Sequence, residues 1–386
     1  MGRLVVIALL GACRFGFNDV PPGQVSTDAP AAPADAMPLL ACSNPPRFTT
    51  NAGTATAMVA TATSTGFDVF TTDSSGNLGG FAYSFSGTGL VADASGIVLD
   101  TNANGTLGTA VNGDTVLLSS MTGLPTATGT TLYAFGRALA ENGSPSVRSG
   151  ELTEAAPIVA DPSGSGFALF TIAGSGEVDA NHVAANASDA DSPVAVVQAS
   201  AKASNVTVTA VANGYLVAYS SAQSSPNQVQ LELVDDSFAV VVPAVSVDNA
   251  QYDEYDPVIA AVNGVYMIAW HAKNVTDDDD VWFELRDSSL KALTVPTKLA
   301  TYSDSAVAAS DGTNFWIVWE TYSPSTTLAG AQITPAGVTT PLTVTGSGGT
   351  PKQWAMVPRG MQPVLVWSES GGTGPDLYID PMCSSN

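Results

Sequence analysis

A chain of 386 residues with 45% apolar content is long enough to bury a sizeable core, yet only 12% of it is charged. Lys and Arg number 12 against 35 Asp and Glu, and the formal net charge of -23 repels phosphate backbones and anionic headgroups, which excludes nucleic acid as a partner and favours a cationic ligand. Abundant Gly, Ala, Val, Thr and Ser point to β structure with many turns rather than to helices.

The chain opens with MGRLVVIALLGAC, one charge at Arg3 followed by an apolar run from Leu4 to Ala12, the plan of a signal peptide over residues 1–12. Nine residues are too few for a spanning helix, which needs about 20. Leu10-Gly11-Ala12-Cys13 resembles the lipobox of bacterial lipoproteins. That resemblance implies lipidation of Cys13, an exported protein of the cell envelope anchored to the outer membrane, and membrane contact through the lipid alone. An ordinary signal peptide with an incidental cysteine is the alternative. From Asn18 to Pro38 proline and small residues leave little to bury, so residues 13–41 read as a lipidated N-terminus and extended tether. Cys42 and Cys383 then remain, one at each end of the folded region. They are expected to form a disulfide in an oxidising compartment, with two unrelated buried thiols as the alternative.

Residues 42–386 carry an internal repeat. Gly66, Gly113, Gly166, Gly214, Gly264, Gly312 and Gly360 each precede an apolar strand, at intervals of 47 to 53 residues, and a short apolar strand precedes each glycine. Each hairpin is followed by a polar turn, an alternating strand such as Val229–Val234, and a weaker fourth strand. Four short strands at this period predict an all-β, single seven-bladed β-propeller of four-stranded antiparallel blades. Tandem sandwich domains need about 100 residues each. The seventh unit contains only three strands, and RFTT from Arg47 occupies the place of a missing fourth, so an N-terminal strand is expected to complete the last blade and close the ring. A monomer follows. VIAAVNGVYMIAW and AVAASDGTNFWIVW resemble the repeats of secreted bacterial propeller proteins, many of them lipoproteins. The resemblance implies architecture and surface binding but no single activity.

Phe170, Tyr219, Trp270, Trp319 and Trp367 recur in register on the strongest strands, which suits the tapered space between blades better than a ligand platform. Catalytic motifs are absent, and the chain holds two histidines, His182 and His271. Glu320 and Glu369 near Trp319 and Trp367, with His271 beside Trp270, form a candidate catalytic trio at one ring face, and paired carboxylates are the machinery of glycosidic hydrolysis. A denser acidic signal comes from Asp253, Glu254 and Asp256 between units four and five, with Asp277, Asp278, Asp279 and Asp280 between the second and third strands of unit five. Their oxygens suit Ca²⁺ if they converge, and a solvated loop if they do not. A weaker candidate is Asp100, Asn102 and Asn104 in DTNANG, where the calcium-loop pattern is half complete because Val111 stands where a bidentate Glu belongs. The expected function is noncatalytic binding of a protein, glycan or cationic ligand on one ring face. The alternative is a secreted glycan hydrolase.

Overall fold

The computed structural model describes residues 47–49, 55–86, 89–101, 103–122, 129–142, 145–149, 157–164, 166–187, 192–223, 225–247, 252–273, 279–323, 325–344, 349–358, 362–370 and 376–382. Within them lie seven four-stranded antiparallel sheets. Blade 1 runs β2 (Ala55–Ala62), β3 (Gly66–Asp73), β4 (Leu78–Ser86) and β5 (Gly89–Asp100). Blade 2 follows as β6 (Ala103–Asn112), β7 (Thr115–Thr122), β8 (Gly129–Phe135) and β9 (Ser146–Ser149). Blade 3 comprises β10 (Ile158–Ala160), β11 (Gly166–Ile172), β12 (Val178–Ala184) and β13 (Val194–Val197). Blade 4 is β14 (Ala203–Val211), β15 (Gly214–Ser221), β16 (Gln228–Val234) and β17 (Val240–Ser246). Blade 5 is β18 (Asp253–Val262), β19 (Val265–Lys273), β20 (Asp279–Asp287) and β21 (Thr297–Thr301). Blade 6 is β22 (Ser303–Ser310), β23 (Phe315–Thr321), β24 (Thr327–Ile333) and β25 (Thr339–Thr343). The seventh sheet holds β26 (Thr350–Val357), β27 (Val364–Ser370) and β28 (Asp376–Pro381), and β1 (Arg47–Thr49) lies antiparallel on β28 with Phe48 opposite Leu377.

Each blade is a meander, so its first-to-second turn and its second-to-third loop lie at opposite ends of the strands. The ring therefore has a turn face, stitched by Asn112 Nδ2 donating to Gly166 O at 2.7 Å and Ser64 Oγ to Asp114 Oδ1 at 3.0 Å. Its loop face carries the blade-to-blade connections. The recurring glycines among the described residues sit on the turn face for two different reasons. At Gly66 a Cβ would stand 1.7 Å from the carbonyl oxygen of Tyr83, so a side chain is barred by the third strand. At Gly264 nothing lies within 4 Å, but φ is +77°, a conformation that L side chains rarely adopt.

Seven apolar clusters fill the seven gaps between blades. Met58, Phe67 and Phe81 of blade 1 pack with Val364, Leu377 and Ile379 of blade 7, and Phe70 and Leu78 pack with Leu118 and Phe135 of blade 2. The remaining gaps are filled in the same way around the ring. Phe170, Tyr219, Trp270, Trp319 and Trp367 are all buried in these gaps. At roughly 25 cal/mol per Å² of apolar surface removed from water, such aromatics dominate the blade-to-blade adhesion. Second strands are buried on both faces, and this is what lengthens their apolar runs.

Candidate functional site: the loop face of blades 4 to 6

Three first strands, β14, β18 and β22, each carry a bulge near the loop face. Asn205 (φ 50°), Asp256 (φ 48°) and Ser305 (φ 52°) occupy it in the left-handed region, which short polar side chains tolerate best. The bulge turns the Asp256 side chain toward its own blade's second strand and toward blade 4. Its carboxylate accepts a short hydrogen bond from Asn205 Nδ2 and stands 3.6 Å from His271 Nδ1. On the other side His271 Nε2 lies 2.8 Å from Asp279 Oδ1. Asp279 in turn accepts from Tyr322 Oη of blade 6 at 3.2 Å, and its backbone N–H donates to the same oxygen at 3.2 Å. A continuous polar chain thus links blades 4, 5 and 6 through one imidazole.

Burial alone would lower the pKa of His271, but the Asp256 and Asp279 carboxylates, with the field of Asp304, outweigh it and raise the pKa to about 9. His271 is therefore a fixed imidazolium at neutral pH and unsuited to act as a general base. Asp304 also lies directly across from Glu320 in the β22–β23 ladder. Burial, and then Asp304, raise the Glu320 carboxyl, while Lys352 opposes them. Above this polar chain Tyr302 and Tyr322 are both exposed and meet edge to face at 6.3 Å.

Of the trio named from sequence, His271 and Glu320 both feel the field of Asp304. Glu369 is buried, accepting from Trp367 Nε1 at 2.8 Å and from the Gly349 N–H at 3.2 Å, a structural role inside blade 7. Of the acidic residues of blade 5, Asp256 and Asp279 flank His271 while the other described ones are engaged separately, because they lie on paired strands rather than in loops, with side chains directed by the pleat. Asp253 accepts from the Asn227 N–H at 2.7 Å, and fully buried Glu254 accepts from the Val229 N–H at 2.9 Å, tying blade 5 to blade 4. Buried Asp280 pairs with Lys298 at 2.6 Å. Asp277, Asp278 and Asn102 lie outside the described residues, as do Cys13, Cys42 and Cys383. Asp100 ends β5, accepting from Tyr133 Oη and from the Thr101 N–H at 2.6 Å, and Asn104 falls within β6, so the half-complete calcium pattern spans a strand junction. Among the described residues no group of three His, Cys, Asp or Glu side chains is arranged to hold a metal ion.

Sequence alone missed Asn205, Asp304, Tyr302 and Tyr322. The recurrence of Asn205, Asp256 and Ser305 at spacings of 51 and 49 was the available signal. A cavity of about 240 Å³ on the ring axis is lined by aliphatic side chains with Thr61, Thr109, Thr209 and Ser310, and among the described residues no titratable group lines it.

No family model matches the sequence, and no curated protein is significantly similar to it. Solved propellers are similar in fold. The polysaccharide lyase Uly1 aligns over 81% of this chain and 88% of its own at 13% identity and a TM-score of 0.51. Saccharomyces cerevisiae Sqt1 aligns over 88% and 98% at 11% identity and a TM-score of 0.50. The chain is a seven-bladed β-propeller. Identities this low carry the architecture and nothing about ligands.

Proposed function

We propose that the protein is an exported, envelope-anchored propeller without catalytic activity that holds a basic segment of a partner protein against the loop face of blades 4 to 6. The observation that carries this reading is the exposed Tyr302–Tyr322 pair set beside Asp256, Asp279 and Asp304. Lysine or arginine side chains stack on tyrosine rings while neighbouring carboxylates accept their hydrogen bonds. The net charge of -23 steers such a segment inward. Anchoring through Cys13 and export rest on the N-terminal sequence, and ring closure by the N-terminal strand is supported by the pairing of β1 with β28. Titrating tetralysine by calorimetry at low salt is expected to give saturable binding that weakens at least tenfold in Asp304→Asn/Tyr322→Ala and falls steeply with salt. Binding unchanged in that variant overturns the reading.

A second reading, glycan hydrolysis, is favoured by one observation. Asp304 and Glu320 form a cross-strand carboxylate pair in which burial, and then Asp304, raise the Glu320 carboxyl, as a general acid requires. Release of reducing ends from a polysaccharide panel, abolished in Glu320→Gln, would establish it. Turnover undiminished in Glu320→Gln, or absent throughout the panel, removes it.

A further inference from the structure

On the opposite, turn face, β3 carries Asp68 between Phe67 and Val69. The residue is only 3% exposed, and its Oδ2 has no hydrogen-bond partner. An unpartnered carboxylate oxygen in the interior is costly, so its retention points to something it faces. It borders a partly enclosed cavity of about 20 Å³ between blades 1 and 2, walled by Asp93, Asp114, Tyr83, Ser64 and Arg137. A water molecule needs about 10–15 Å³ in such a measure. The space therefore suits one water-sized group, with the carboxylates of Asp68, Asp93 and Asp114 on its wall.

The chemistry of the wall narrows what that group is. No three carboxylates are placed to ligate one metal ion among the described residues. The oxygens suit a donor of several divergent hydrogen bonds, and an alkylammonium offers three. The hydroxyl of Ser64 is already directed to Asp114 at 3.0 Å, and that of Ser84 to Asp93 at 2.9 Å, which holds both carboxylates in place. We propose that this turn-face cavity between blades 1 and 2 is a binding pocket for the head of a primary amine, with Asp68 as its central acceptor and Asp93 and Asp114 as flanking ones. The site is independent of the loop-face reading and lies at the other end of the strands.

Burial, and then Asp93, raise the Asp68 carboxyl to about 7. Asp68 is thus largely neutral at pH 5.5 and largely ionised at pH 8. The groups facing it are Asp93, Asp114, Tyr83 and Arg137, and amine capture strengthens with pH as Asp68 loses its proton.

The test is thermal unfolding of the full chain with methylammonium chloride, against sodium chloride and tetramethylammonium chloride at equal ionic strength. Wild type is expected to gain a saturable rise in melting temperature with methylammonium alone, larger at pH 8 than at pH 5.5. Asp68→Asn is expected to lose it while retaining tetralysine binding at the loop face, and Asp114→Asn to weaken it at least threefold. A rise equal in Asp68→Asn, equal with all three salts, or absent from wild type at pH 8 overturns the proposal, the last meaning that the cavity holds water only.

Discussion

Blade 1 and blade 5 solve the same problem, an acid near the end of a buried strand, in opposite ways. In blade 5 the carboxylates of Asp256 and Asp279 sit on either side of His271, and each gains a second neutral partner, Asn205 or Tyr322. In blade 1 Asp68 has an oxygen with no partner, and its nearest charged influence is the like charge of Asp93. Two recurring units with the same strand order thus hold differently charged interiors: one keeps an imidazolium at neutral pH, and in the other burial and Asp93 push a carboxyl up to about 7. The fold specifies where a side chain goes, and neighbours from the adjoining blade decide its ionisation.

The contrast is sharpest at the glycine that opens each second strand. Gly66→Ala is expected to cost about 3 kcal/mol or more, since its Cβ has to displace the Tyr83 carbonyl and the strand pairing around Asp68. Gly264→Ala, with open space and only an unfavourable φ, should cost about 1 kcal/mol. Urea midpoints for the two variants check this, and equal losses would mean that the third strand of blade 1 yields freely.

Next in size is the response to pH. Asp68 and Glu232 both have carboxyls raised to about 7, in each case chiefly by burial. The stability they confer is full below pH 4 and is lost as pH rises through 7. His271, raised to about 9, confers stability that is full below its unfolded value near 6.5 and is lost as pH rises through 9. Melting temperature is therefore expected to decline from pH 5 to pH 9 in two stages. Asp68→Asn should flatten the first and be more stable than wild type at pH 8 without amine, and His271→Gln should flatten the second. A profile that rises across this range would contradict both assignments.

Removing the imidazole altogether leaves Asp256 and Asp279 facing each other uncompensated, and His271→Ala is expected to cost about 2 kcal/mol at pH 7 and much less at pH 10. The smallest effect, about 0.5–1 kcal/mol, is expected for Asn205→Ala, which removes one neutral donor from a half-buried carboxylate. Denaturant unfolding measures both.

The ring was legible because its determinants repeat. The glycines and the aromatic series ending in Trp367 recur at the blade period, and they set the strands and the gaps. Two kinds of local stereochemistry hide under that single glycine signal, and only backbone geometry separates Gly66 from Gly264. The loop-face site was half legible. Asp256 and Asp279 stand out as members of acidic runs, but Tyr322 and Asn205 reach them across blade boundaries, a pairing that no local spacing encodes. Asp68 was hidden for another reason. In GFDVF alternation reads the aspartate as facing water, whereas β3 is buried along nearly its whole length because a blade covers each of its faces.

The sharing of every apolar cluster between two blades has a consequence for how such a protein changes length. A blade contributes half of two cores and has none of its own, so no single repeat is a module that folds before its neighbours arrive. Deleting one leaves two unmatched half-cores of different shape facing each other. Variation is thus confined to the rims, where chemistry differs from blade to blade, while the number of repeats changes only by rebuilding the whole circumference.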